Sequence, residues 1–300
     1  MALSLPDALD PAAIARLGNL ELVARTLVEG FLKGLHLSAA RGSSVEFAER
    51  RPYAPGDEIR RLDWRAFGKT DRFYLKEYDD ETNVRAILVL DASGSMAFAS
   101  GEISKFRYAA CLAAALGLLL LRQRDSVGLL LAGAGSARYI PPKATPQHLS
   151  GILAALEGAS PRGEAGIAAR LHDLAGRCKR RSLAIVVSDF LEDPQGVLQS
   201  LARLRHRQSE AIFFHVIDPA EEEFPFSGWT VFRDMERPGT RARLDARQAR
   251  ELYAENFRAH LEALRKGCDA AEVDYLVAKT TAPFEGVLAR YLDARERRSR

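Results

Sequence analysis

Val84 to Met96, V-R-A-I-L-V-L-D-A-S-G-S-M, is the stretch that decides how the rest of the chain is read. Ile87 to Leu90 is a short apolar run, β-branched in part and bounded by polar residues, which predicts a buried strand. The strand ends on Asp91, and Ser93 and Ser95 follow with Gly94 between them. A carboxylate at the carboxyl end of a buried strand stands where open α/β sheets bind ligands. A loop curling over the strand end turns both hydroxyls towards that carboxylate, and Gly94 helps such a loop turn tightly. One Asp and two hydroxyls form a hard, oxygen-only set suited to Mg²⁺ or Mn²⁺, with water or a partner's carboxylate completing the octahedron. The competing expectation is that Asp91 and the serines cap the helix that follows.

The arrangement resembles the metal-ion-dependent adhesion site of von Willebrand factor type A domains. Ser182 to Ser188 is a second continuous apolar run, ending on Asp189. Neighbouring strands would bring Asp91 and Asp189 to one crevice. The resemblance implies that Asp189 acts on the metal through water. It also implies a Thr from the loop before the third helix of the domain, where Gly163-Glu164-Ala165-Gly166-Ile167 places Ala165 instead. Ala supplies no oxygen, so binding of Mg²⁺ or Mn²⁺ is expected to be weak, with Ser160 and Glu164 as the substitutes to consider.

Upstream, Pro55-Gly56-Asp57 is a strong turn signal inside a block from Tyr53 to Arg65 that is crowded with Arg, Asp, Tyr and Trp. Its structural reading is a turn stapled by Arg–carboxylate pairs, with Trp64 buried and Asp57, Arg60 and Asp63 in charge-assisted hydrogen bonds. Tyr53, Gly56, Asp57, Arg60, Asp63, Trp64 and Arg65 form the string Y-x-P-G-D-x-x-R-x-x-D-W-R. K-E-Y-x-x-E at Lys76 to Glu81 follows, and then the Asp91 motif. In this order the motifs resemble the bacterial family catalogued as domain of unknown function fifty-eight, whose members carry a von Willebrand type A-like domain. The resemblance implies a role beside AAA+ ATPases of the MoxR type, as an adaptor or in assembling and activating a client protein that the residues do not identify.

Alternating strands and helices predict an α/β fold with a mostly parallel, doubly wound sheet. The expected organisation is an N-terminal helical hairpin over 1–38 and a small β-rich insert over 39–83. The type A-like domain follows over 84–295, with a hairpin excursion at about 219–245, and a basic tail over 296–300. Three hundred residues, 47% hydrophobic and 28% charged, are ample for one soluble α/β core. A net charge of +3 gives no argument for a nucleic-acid partner. Cys111, Cys178 and Cys268 show no framework, as in a reducing compartment. The start lacks a secretory pattern, and the run from Ala109 to Leu121 is too short to span a bilayer, so a cytoplasmic protein without a transmembrane segment is expected.

Catalytic signatures do not emerge. No G-x-x-x-x-G-K-[ST], G-x-G-x-x-G or G-x-S-x-G string occurs. His172 and His206 read as surface residues and His215 as a core residue. A non-enzymatic interaction protein is therefore expected. The alternatives are a Mg²⁺- or Mn²⁺-dependent hydrolase using Asp91, or a structural subunit with a vestigial metal site.

Overall fold

In the computed structural model the apolar runs become the strands of one sheet, and the amphipathic stretches cover both its faces. The structure describes residues 10–39, 51–52, 74–75, 84–133, 136–164, 166–178 and 181–299. Helices α1 (Pro11–Ala15) and α2 (Leu20–Ala39) come first, and then the short strands β1 (Arg51–Pro52) and β2 (Tyr74–Leu75). Next are β3 (Arg85–Ala92), a 3-10 turn at Gly94–Ala97, α3 (Lys105–Arg122), β4 (Ser126–Gly133) and β5 (Ser136–Lys143). The chain continues through α4 (Pro146–Glu157), α5 (Ile167–Arg177), β6 (Ser182–Ser188), α6 (Pro194–His206), β7 (Glu210–Ile217) and α7 (Pro219–Glu223). It ends with β8 (Trp229–Arg233), β9 (Arg241–Asp245), α8 (Ala246–Ala270), β10 (Asp274–Lys279) and α9 (Phe284–Ser299).

Two units can be separated, Met1–Phe31 with Val84–Arg300, and Leu32–Asn83. In the smaller, β1 and β2 pair antiparallel, with Arg51 opposite Leu75 and Pro52 opposite Tyr74. The signature block of Tyr53, Gly56, Asp57, Arg60, Asp63, Trp64 and Arg65 lies outside the described residues. Among the described residues no helix is long and apolar enough to cross a membrane.

The large unit holds a six-stranded sheet in the order β10-β7-β6-β3-β4-β5, parallel except for the edge strand β5. Leu88 of β3 stands opposite Leu129 of β4 on one side and Ile185 of β6 on the other. Because side chains alternate along a strand, Ile87 and Val89 join Val186 and Phe213 in one core. That core is closed by Leu171, Leu201 and Leu264 from α5, α6 and α8. Leu88 points the other way, towards α3, where a Cβ on Gly117 would lie 3.5 Å from it and 3.1 Å from Leu149. The chain leaves β3 for β4 on one side and leaves β6 for β7 on the other. The β3–β6 crevice is thus the topological switch point, the ligand position of doubly wound sheets.

The N-terminal helices are joined to this unit. Asn19 Oδ1 accepts from the N–H groups of Glu21 and Leu22, and Glu157 Oε1 accepts from that of Leu20 at 2.6 Å, so the orphan donors of α2 are satisfied. Ile14, Leu20, Val23, Leu27 and Phe31 are fully buried.

The basic C-terminal residues continue a helix, with Glu296 and Arg297 exposed on it. Helix α9 runs to Ser299, because Arg295 reaches back to ion-pair with Asp125 at 2.6 Å. The other oxygen of Asp125 accepts from the N–H of Val84, the residue before β3. Arg295→Met would leave the buried Asp125 carboxylate without its guanidinium. The expected loss is about 1–3 kcal/mol in urea unfolding, and a variant within about 0.5 kcal/mol of wild type would show that the pair is only a surface contact.

Candidate functional site

Asp91 is 3% exposed at the end of β3. Its Oδ1 accepts from the N–H of Ser93 at 2.8 Å, and its Oδ2 accepts from the hydroxyl of Ser188, the last residue of β6, at 2.5 Å. The Asx bond to Ser93 starts the 3-10 turn and brings Ser93 Oγ and Ser95 Oγ within 2.9 Å of each other. The serines cap no helix: Ser93 makes no side-chain cap bond, and α3 is capped by Ser104, which accepts from the N–H of Arg107. Burial, and then the charge of Asp189, push the Asp91 carboxyl up to about 7, against the lowering effect of the hydrogen bonds from Ser188 and Ser93.

Asp189 follows β6, the neighbour of β3, close enough for its charge to act on Asp91. Phe190 behind it adopts a left-handed φ of 47°. The strain is held by burial, with the Phe190 ring stacked on Phe213 and its carbonyl accepting from His260 Nε2 at 2.9 Å. Asp189 is not turned to the serines. Its Oδ2 accepts from Lys105 Nζ at 2.7 Å, and the same ammonium donates to Glu221 Oε1 at 2.5 Å. Lys105 is wholly buried. Burial works to strip its proton, but Asp189 and Glu221 outweigh that and hold its pKa above the ordinary lysine value. His215, on β7, pairs with the Tyr275 hydroxyl and is pushed down to about 3, chiefly by burial. It is the neutral core residue expected of it.

The crevice has a roof. Strands β8 and β9 form a separate antiparallel hairpin, packed near its tip by Phe232 against Phe224 and Phe226. Its tip turns on Asp234, which accepts from the N–H groups of Glu236 and Arg237. The tip presses on Gly94, where an added Cβ would come within 2.0 Å of the Met235 carbonyl oxygen. This corrects the reading of Gly94: its φ is not among the positive ones, and glycine is needed for close approach, not for a turn. The Glu236 carboxylate is hydrogen-bonded with Ser95, and burial together with Asp189, Asp234 and Glu164 raises its pKa. Arg237 is clamped to Glu164. A cavity of about 740 Å³ opens beside the tip, with Ser95, Lys105, Glu221, Glu236 and Tyr253 on its wall.

The loop before α5 also reaches the site, through backbone: Gly94 N–H donates to the Gly163 carbonyl at 2.8 Å, and Arg162 N–H to that of Ala92. Ala165 is outside the described residues. Of the two substitutes considered, Ser160 is exposed and Glu164 is ion-paired with Arg237.

Sequence reasoning missed four residues. Lys105 carried a signal, since a lysine opening an apolar helix opposes the helix dipole and needs a reason to be there. Asp218 and Glu221 form a capping box, D-x-x-E after a strand and before α7, where the sequence read as irregular. Asp218 is fully buried and also accepts from the N–H of Ser100 at 2.9 Å. Glu236 carried no signal, because nothing local says where a hairpin tip lands.

Asp91, Ser93 and Ser95 fit a hard divalent cation. They are oxygen donors only, the carboxylate has no cationic partner among the described residues, and the 2.9 Å between the hydroxyls equals the edge of a Mg²⁺ octahedron with bonds of about 2.0–2.1 Å. Among the described residues no cluster of three or more His, Cys, Asp or Glu converges as a metal site, so the serine hydroxyls carry the fit.

The family model described as "Protein of unknown function DUF58" matches residues 49–263. The chain belongs to that family. It is 27% identical over 292 residues to the uncharacterized protein Rv1480 of Mycobacterium tuberculosis, covering 96% of this chain and 91% of that protein. Among solved structures, BatB from Bacteroides thetaiotaomicron aligns with a TM-score of 0.48 at 17% identity, over 70% of this chain and 97% of its own. The SpRpn10 VWA domain aligns at 0.41 and 12%, over 69% and 94%.

The raised Asp91 pKa has a testable sign. Folding takes up a proton here between the unfolded value of 3.8 and the folded value of about 7. The group's stabilising contribution is therefore complete at low pH and lost as pH rises through about 7. His215 acts oppositely, costing stability as pH falls below its ordinary 6.5, so the two largely cancel between about 4 and 6.5 in wild type. The difference between proteins removes His215 from the comparison. In EDTA, Asp91→Asn should gain on wild type by roughly 1–4 kcal/mol as pH rises from about 4 to 7, and gain nothing further above that. Parallel pH profiles in thermal melts would contradict the unpaired-carboxylate account.

Proposed function

We propose that this family member is a non-enzymatic interaction protein whose β3–β6 crevice docks a partner's carboxylate through a weakly held Mg²⁺ or Mn²⁺. The observation that carries the reading is the convergence of Asp91, Ser93 and Ser95 at the switch point, with the Asp91 charge uncompensated. A cation bound there would supply charge and open coordination positions for an incoming acidic side chain. Asp91 and the two hydroxyls would hold it, and Asp189, committed to Lys105, would act at longer range. The resemblance read from the sequence makes the partner a MoxR-type AAA+ ATPase, with the chain as its adaptor in assembling or activating a client protein.

The reading of the crevice as a recognition site also has support in its hydroxyls. Ser93 and Ser95 bond each other, while His215 faces Tyr275 and His260 faces the Phe190 carbonyl. A second reading, a structural subunit with a vestigial metal site, is favoured by one observation: Lys105 already gives Asp189 an internal cation.

Capture of a purified MoxR-type ATPase from the source organism on the immobilised chain separates the two. The docking reading predicts capture that requires Mg²⁺ and falls at least about tenfold in Asp91→Ala, a loss of about 1.4 kcal/mol. Thermal melts should move in parallel, with millimolar Mn²⁺ raising the melting temperature of wild type and not of the variant. Metal-independent capture, equal in both proteins, would remove the crevice from the interface, and no capture would leave the ATPase partnership without support.

A further inference from the structure

The hairpin tip brings a carboxylate to the place where the docking reading needs one from outside. Three features fix it there. Gly94 receives the Met235 carbonyl so closely that no side chain fits between them. Asp234 holds the tip in a turn by accepting from the N–H groups of Glu236 and Arg237, and Arg237 is clamped across the crevice to Glu164. Within that frame Glu236 is half-buried and hydrogen-bonded with Ser95, whose hydroxyl meets that of Ser93. Glu236 therefore meets the hydroxyl pair at Ser95.

We infer that Glu236 is the chain's own ligand for the cation held by Asp91, Ser93 and Ser95, occupying the position that a partner's carboxylate takes when the β8–β9 hairpin lifts. The inference rests on the cation reading above and adds to it an internal competitor. The physical case is one of charge and effective concentration. Asp91 and Glu236 are two carboxylates beside two hydroxyls, and the ammonium of Lys105 is already engaged by Asp189 and Glu221. A tethered carboxylate also outcompetes a free one until something of higher affinity, or several contacts together, displaces the tip.

Mn²⁺ binding to the full chain, read as the loss of the free-ion electron paramagnetic resonance signal, tests the inference. Four variants are compared with wild type: Glu236→Ala, Glu236→Gln, Gly94→Ala and Asp91→Ala. The expected result is a loss of Mn²⁺ affinity of about tenfold or more in both Glu236 variants. Gly94→Ala should show a similar loss, because its methyl displaces the tip, and Glu236 with it, while every proposed ligand side chain is retained. Added acetate should restore binding in Glu236→Ala, where the carboxylate position is vacated, and leave wild type unchanged. Mn²⁺ bound equally by wild type and both Glu236 variants but lost in Asp91→Ala would keep the cation site and overturn the role of Glu236. Weakened binding that acetate does not rescue would make Glu236 a prop for Ser95 and overturn it as well. No Mn²⁺ on any of the proteins would overturn both the cation reading and this inference.

Discussion

A buried lysine organises the working end of this protein. Taking an ammonium out of water costs several kcal/mol even after relaxation, and only close, well-placed carboxylates return it. Lys105 has two, Asp189 at 2.7 Å and Glu221 at 2.5 Å. Asp189 comes from the end of β6, Glu221 from α7 beyond the end of β7, and Lys105 from the first turn of α3, which follows β3. One charge thus ties together the outlets of three neighbouring strands, and any movement that separates them leaves a buried ion without its partner. The capping box at Asp218 and the left-handed turn at Phe190 are local devices that hold those two carboxylates at the ammonium.

The same arrangement explains why the two strand-end aspartates differ. They lie on one crevice, but the lysine neutralises only Asp189. Asp91 is left with hydroxyl and amide donors, and burial, followed by the charge of Asp189, outweighs them and lifts its pKa to about 7. An uncompensated buried carboxylate beside two convergent hydroxyls favours a cation. The hairpin tip packs on Gly94, beside that position.

Much of this was legible in the sequence. Ile87 to Leu90 and Ser182 to Ser188 read as buried strands because a doubly covered strand is apolar throughout. Asp91 and Asp189 followed as carboxylates at strand ends, and the β8–β9 hairpin was visible from Pro238-Gly239 between two strand-like runs. What escaped was the long-range pairing. Lys105 meets residues 84 and 116 positions away, and Glu236 lies 141 residues beyond Ser95, distances at which periodicity and turn chemistry are silent. Gly94 was noticed for the wrong reason: glycine permits both a tight turn and a close approach, and only the placement of Met235 tells them apart. The ion pair of Arg295 with Asp125 is of the same long-range kind, 170 residues apart in the chain.

The central claim is that the Asp91 end of the crevice is built for a cation. Crystals grown with millimolar Mn²⁺ and measured on both sides of the manganese absorption edge test it directly. The account predicts a single anomalous peak bounded by Asp91, Ser93 and Ser95, with Lys105 still on Asp189. No peak at that position, with the serine hydroxyls bonded to each other as they are here, would contradict it.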